Sequence, residues 1–286
     1  MKILILGASG TLGHKMIQIG NKAGYEMYGT VINYSKELEK VGISRNKLLS
    51  GINIEEEKGI KYLNNLFDNK HFDIVINCIG IINKKIKNPA QTIYCNSVFP
   101  HILADICSEN NVKLIHISTD CVFSGKKRGP YTGKDKPDAL DLYGKSKELG
   151  EINYGDHLTI RTSFIGREIH DEKTGLLEWF LSQSNEIEGY SKAIWSGFTS
   201  PVLSHLIYYL IENFPDLNGI VQVASHPIDK YSLLLLLKKY FRKNISIKEN
   251  KNFICNRSLE LDKRIKNKID IPSHEEMIKE LAKETN

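Results

Sequence analysis

Tyr143 and Lys147 stand four residues apart, and ahead of them Thr119 closes an apolar, β-prone run. Residues four apart on a helix share a face, so a phenol and an ammonium at this spacing point into one site. Such a pair suits proton transfer. A free tyrosine has a pKa of about 10, so work near neutral pH asks for a fall of roughly 3 pH units, about 4 kcal/mol in favour of the phenolate. A lysine cation beside it supplies part of that preference. Thr119 adds a hydroxyl donor and completes a grip on a carbonyl oxygen that is turning into an alkoxide. A Tyr-x-x-x-Lys pair also arises by chance, so the elements around it have to carry the reading.

Residues 2–6 are a continuous apolar run of the kind buried on both faces of a parallel sheet. Gly7-Ala8-Ser9-Gly10-Thr11-Leu12-Gly13 follows at once and leads into a helical pattern that lasts to about Ala23. Strand, glycine turn and helix form the context a dinucleotide site requires. Gly7 permits the tight turn, Gly10 lets backbone amides approach a pyrophosphate, and Gly13 lets the helix pack on the strand. The helix N-terminus then turns its partial positive charge to the phosphates, with Ser9, Thr11 and Leu12 in the same wall. Asn53 and Ile54, ahead of a helix expected over 55–67, and Cys78 and Gly80, at the end of a strand over 72–78, join Tyr143 and Lys147 as candidate cofactor contacts. The second strand, 26–32, meets no acid until Glu37, and an acid there would bond a ribose 2′-hydroxyl. Ser35 or Lys36 could meet a 2′-phosphate instead, although no arginine stands at that strand end. The expected cofactor is NADPH, with NADH as the alternative.

Further strands are expected over 112–118 and 157–161, and a helix with a break near Pro100 over 89–110. Alternation of strand and helix predicts an α/β fold, a doubly wound parallel sheet of Rossmann type with right-handed crossovers. Ligands collect at the carboxyl ends of such strands, where Gly7, Gly80 and Thr119 all fall. Residues 1–165 are read as a dinucleotide-binding domain. Residues 166–286 are read as a smaller, mainly substrate-binding part, with some segments returning to the first domain.

The chain has 286 residues, 41% of them hydrophobic, enough for a full core. A net charge of +5 is a small excess of 39 basic over 34 acidic residues, compatible with an anionic small molecule. Basic residues are not gathered with aromatics on any one element, so no nucleic-acid partner is expected. Cys78, Cys95, Cys107, Cys121 and Cys255 show neither close pairing nor metal-ligand spacing, so reduced thiols, no metal and a cytoplasmic location are expected. The opening MKILILGASG reads as a strand and not as a signal. No apolar run approaches the roughly 18 residues of a membrane helix. A homodimer is left open.

The glycine turn, HISTDCVFSG from His116 to Gly125, YGKSKELGE from Tyr143 to Glu151, and Arg161-Thr162-Ser163 together resemble an extended short-chain dehydrogenase/reductase. Within that superfamily the chain is similar to the dTDP-4-dehydrorhamnose reductases and related sugar-nucleotide reductases. The resemblance implies a catalytic triad of Thr119, Tyr143 and Lys147. It also implies hydride transfer from reduced nicotinamide to the C4 ketone of a nucleotide-linked 4-keto-6-deoxyhexose, with Tyr143 giving the proton, in surface-polysaccharide biosynthesis. On the substrate side it points to Asp120, Cys121, Val122, Arg161 and Trp195, and to Arg257 as a diphosphate clamp. Similar 4,6-dehydratases carry a glutamate where this chain has Cys121, and the rhamnose reductases usually carry a tyrosine. A cysteine there resembles GDP-fucose synthase, which epimerises before it reduces with a cysteine and a histidine. His170 is the nearest candidate histidine and falls early. Two alternatives therefore stand beside the reductase: an epimerase-reductase using Cys121, and a non-catalytic, cofactor-binding regulatory subunit like the methionine adenosyltransferase beta subunit.

Overall fold

The apolar runs become the inner strands of one sheet because alternate side chains can be buried on opposite faces. The computed structural model describes residues 1–169 and 173–284. Its main sheet contains β1 (Lys2–Leu6), β2 (Glu26–Val31), β3 (Leu48–Ser50), β4 (Ile74–Asn77), β5 (Lys113–Thr119), β6 (Leu158–Thr162) and the strand Gly219–Gln222. The order is Gly219–Gln222, β6, β5, β4, β1, β2, β3, and every pairing is parallel. Ile3 and Ile5 of β1 enter one core and Leu4 and Leu6 the other, the two-residue period of a strand covered on both sides.

Helix α1 (Thr11–Lys22) lies on the first face; α2 (Lys36–Lys40) follows β2, and α3 (Glu57–Asn69) lies on the second face. The run after β4 differs from expectation. It does not break at Pro100: α4 (Pro89–Ile93), a π-helical turn over Tyr94–Val98 and α5 (Phe99–Glu109) follow one another directly. Pro100 falls in the first turn of α5, where its missing N–H and its fixed φ are tolerated. Helix α6 (Leu142–Leu149) carries Tyr143 and Lys147.

After β6 the chain builds a third core from α7 (Leu176–Ser182), α9 (Lys230–Tyr240) and α10 (His274–Lys283), with Leu177, Phe180, Leu233, Leu237, Ile278 and Leu281 inside it. Between them α8 (Ser200–Asn213) packs beside α1 on the main sheet, and Gly219–Gln222 extends that sheet past β6. A small sheet sets Ala193–Trp195 between Ile228–Asp229 and Cys255–Asn256. That pairing gathers Trp195, Lys230 and Arg257, which are far apart in sequence. Among the described residues no helix is long and apolar enough to cross a membrane, and no group of three or more His, Cys, Asp or Glu could hold a metal ion.

Candidate active site

At the end of β1, Gly7 takes a φ of +79°, a conformation that L side chains rarely adopt. The Gly10 N–H donates to the Gly7 carbonyl at 3.0 Å and closes the turn. Gly10 then precedes α1 with no side chain capping the helix, which leaves the leading amides of α1 for a ligand. A Cβ on Gly13 would lie 2.1 Å from the Gly7 oxygen, so helix and turn press together as only glycine allows. This cradle fits a pyrophosphate.

Two adjoining cavities flank it. One of about 290 Å³ is lined by Gly7, Ser9, Gly10, Asn53, Ile54, Cys78 and Gly80, and by Ile32 beyond the end of β2. The other, about 330 Å³, is lined by Gly10, Thr11, Leu12, Cys78, Gly80, Thr119, Tyr143 and Lys147. Of the sequence-predicted cofactor residues, Gly13, which acts from behind the wall, and the 2′-phosphate candidates Ser35 and Lys36 line neither; all the others line one or both. The end of β2 holds one correction. Ser35 accepts the Glu37 N–H at 3.2 Å as the cap of α2, and an arginine is present after all: the Arg45 guanidinium stacks 4.7 Å over the Tyr34 ring. Its distance along the chain hid it.

Thr119 is the last residue of β5. The Asp141 carboxylate accepts the Gly144 N–H at 2.8 Å and starts α6, and a Cβ on Gly144 would lie 2.2 Å from the Cys121 carbonyl oxygen. The first turn of α6 is thus pressed onto the turn after β5, and Tyr143 meets Thr119. Lys147 is 3% exposed and donates from Nζ to the Ile117 carbonyl at 2.7 Å. The electrostatics reverse the expected phenolate. Burial, and next the neighbouring Cys121, push Tyr143 well above its ordinary value, against the Thr119 hydroxyl. Burial also pushes Lys147 down to about 8, against Glu151 and Cys78. A protonated phenol therefore stands beside a lysine poised near neutrality.

Asp120, Cys121 and Ser163 also line a further cavity of about 490 Å³, which extends to Trp195, Lys230 and Arg257. Trp195 donates from Nε1 to Ser163 Oγ at 2.8 Å. Arg257 brings Nη1 to 3.4 Å from Cys121 Sγ, and its Nε is buried with no hydrogen-bond partner among the described residues. Burial pushes the Cys121 thiol up to about 12, so it stays protonated. Sequence reasoning missed Lys230. Its ammonium lies 4.5 Å over the Trp195 ring, and burial pushes it down to about 8 against the pull of Asp120. It is the first residue of α9, and nothing beside it in sequence marks it as a site residue.

Two predicted substrate contacts do not face either cavity. Arg161 is buried in a fork with Glu151, Nε to Oε1 at 2.7 Å and Nη2 to Oε2 at 2.6 Å, and the same carboxylate accepts Ser118 Oγ at 2.7 Å. Val122 is fully buried in a small core with Phe123, Tyr131, Ala224 and Leu259. His170 lies outside the described residues.

A family model described as RmlD substrate binding domain matches residues 1–185. A probable low-salt glycan biosynthesis reductase, Agl14, of Haloferax volcanii is 28% identical over 197 residues, 64% of this chain and 60% of that protein. The spore coat polysaccharide biosynthesis protein SpsK of Bacillus subtilis is 29% identical over 170 residues, 57% of this chain and 53% of that protein. The chain thus spans little more than half the length of these relatives. In fold, it superposes on a dTDP-4-dehydrorhamnose reductase of Bacillus anthracis, solved in complex with NADP, with a TM-score of 0.79 at 19% identity, covering 100% of this chain and 99% of that one.

Proposed function

The chain belongs to the RmlD substrate binding domain family, and from that premise we propose that it is an NADPH-dependent reductase of the C4 ketone of a nucleotide-linked 4-keto-6-deoxyhexose. The observation that carries this reading is that Thr119, Tyr143 and Lys147 line the same cavity as Gly10, Thr11 and Leu12 at the glycine turn. The ketone oxygen accepts hydrogen bonds from the Tyr143 and Thr119 hydroxyls, which strengthen as it becomes an alkoxide. Reduced nicotinamide, when bound, supplies the hydride. Tyr143, held as a phenol, gives its proton to the alkoxide, and Lys147 relays a replacement from solvent. In this reading Lys230 and Arg257, which line one cavity with Cys121, are the two cations that meet the diphosphate of the sugar nucleotide. Residues 1–165 mainly hold the cofactor and residues 166–286 mainly select the substrate.

For the cofactor, support comes from the Arg45–Tyr34 stack near the end of β2 and from the NADP bound by the Bacillus anthracis reductase. Glycan and spore-coat names among the relatives support a place in surface-polysaccharide synthesis. Incubated with NADPH and a panel of dTDP-, UDP-, GDP- and CDP-linked 4-keto-6-deoxyhexoses, the protein consumes the reduced-nicotinamide absorbance with at least one of them. Tyr143→Phe binds NADPH as before but turns over at least about 100-fold more slowly. A protein that binds NADPH and reduces none of the panel contradicts the substrate class.

A second reading is favoured by one observation, that Lys230 shares the substrate cavity with Cys121. An amine with a pKa near 8 and a protonated thiol are a base and an acid for inverting a carbon beside the ketone before reduction. Deuterium taken from solvent into a ring carbon, and lost in both Cys121→Ala and Lys230→Arg, distinguishes it from simple reduction.

A further inference from the structure

A cavity of about 680 Å³, larger than either cofactor cavity, lies at the other end of α1 and takes no part in the reduction. The twelve residues of α1 set that end about 18 Å from the one that meets the phosphates. Ile19 and Ala23 of α1, Val202 and Leu206 of α8, and Ile269 give the cavity an apolar floor. Three tyrosines line it as well. Tyr208 reaches between the two helices and donates its hydroxyl to the Met16 carbonyl at 2.7 Å, past Gly20, where a Cβ would lie 2.5 Å from that hydroxyl. The Tyr25 ring is tilted against the Tyr208 ring, 5.1 Å between centroids, and its hydroxyl donates to Glu212. Burial, and next Glu212, push Tyr25 up to about 12, so it stays a phenol and holds that carboxylate in place. Tyr209 donates to the Lys268 carbonyl at 3.2 Å and so ties α8 to the segment that carries Asp270.

The charge of the wall is one-sided. Glu212, Asp270 and Glu280 all line it, and the carboxylates of Asp270 and Glu280 have no ion-pair partner among the described residues. The basic side chains of the wall are His205 and Lys268, and the Lys268 ammonium lies 5.5 Å over the ring of Phe214, which is not part of the wall. α1 also ends here, and the carboxyl end of a helix carries partial negative charge. Such a wall repels an anion. A neutral apolar molecule that filled it would strip water from carboxylates and give them nothing in return. A bare metal ion fits no better, because among the described residues these carboxylates form no group that could hold one. A cation on an apolar body satisfies all three parts of the wall: ring faces attract it, carboxylates neutralise it, and the floor covers its carbons. We infer that this cavity is a second ligand site, and that it takes a small organic cation, a quaternary or protonated amine. The site stands whether or not the chain is a reductase.

Choline and dimethylbutanol, the alcohol in which carbon replaces the choline nitrogen, share a shape and differ in charge, so together they test the site. Each is titrated into the tyrosine-labelled protein at constant ionic strength, and the ring signals of Tyr25 and Tyr209 are followed by NMR. Choline is expected to shift both sets of signals and to bind at least about tenfold more tightly than the alcohol, some 1.4 kcal/mol. Glu212→Gln keeps an acceptor for Tyr25 and removes the charge, so it should weaken choline about fivefold and leave the alcohol nearly unchanged. Tyr209 is 40% exposed, and Tyr209→Ala should weaken choline about threefold without unfolding the protein. Equal affinity for choline and the alcohol, ring signals that choline does not move, or a choline affinity that neither variant changes overturns the site. Because the signals do not depend on turnover, failure to reduce any sugar nucleotide contradicts the reductase alone, and an absent preference for choline contradicts the cation site alone.

Discussion

At the scale of single residues, burial outweighs charge at Tyr143. The spacing of Tyr143 and Lys147 was legible in the sequence, but the direction of their shifts was not, because desolvation depends on what closes over a side chain. The same limit concealed Arg45, which stacks on Tyr34 just past β2, and Lys230, which lines the substrate cavity, since both placements arise only through tertiary folding. It also turned Arg161 into a supposed substrate contact, since nothing beside it in sequence announces Glu151. Two predictions belong here. Arg45→Ala should raise the Michaelis constant for NADPH about tenfold, some 1.4 kcal/mol, and leave that for NADH unchanged; equal effects on both cofactors would remove Arg45 from the 2′-phosphate site. The second follows from Lys147, whose folded pKa of about 8 lies below the unfolded value. Between the two values the unfolded chain binds the extra proton, so stability is fully present above the unfolded pKa and is lost as pH falls through about 8. Urea unfolding without added cofactor should show a gain on the order of 3 kcal/mol from about pH 7.5 to 10.5. Lys147→Met should flatten that dependence; an identical slope in the variant would mean the lysine is not desolvated.

At the scale of elements, period and punctuation carried most of the reading. The continuous apolar runs of β1, β4 and β5, buried on both faces, and the glycines of the first turn each leave a mark in sequence. β3, three residues long, is too short to show a period. The π-helical turn at Tyr94–Val98 has no compositional sign, and it explains why Pro100 can sit inside a continuous rod. The Glu151–Arg161 fork ties the end of α6 to β6 and, through Ser118, to β5. Glu151→Gln should leave a buried guanidinium without its counter-charge and cost about 3 kcal/mol or more in chemical denaturation, together with activity, because α6 carries Tyr143 and Lys147. A loss under about 1 kcal/mol would show that the fork is not holding the helix.

At the scale of the molecule, strand-helix alternation was enough to foresee a parallel sheet with its ligand edge at the carboxyl ends. The carboxy-terminal part was harder to read, because its short strands pair across long sequence separations, Ala193–Trp195 with Cys255–Asn256 for example. Such pairings leave no local period, yet they bring Trp195, Lys230 and Arg257 against Cys121, where one cavity meets the next. The central claim is that these adjoining cavities place a sugar ketone against the nicotinamide beside Tyr143. The most direct measurement uses NADPH deuterated at the transferring position of the nicotinamide C4, with the sugar nucleotide that the panel identifies. The account predicts a product carrying the deuterium on the sugar carbon that bore the ketone, and about 100-fold less of it from Tyr143→Phe. A product without the label, or an equal yield from the phenylalanine variant, would contradict it.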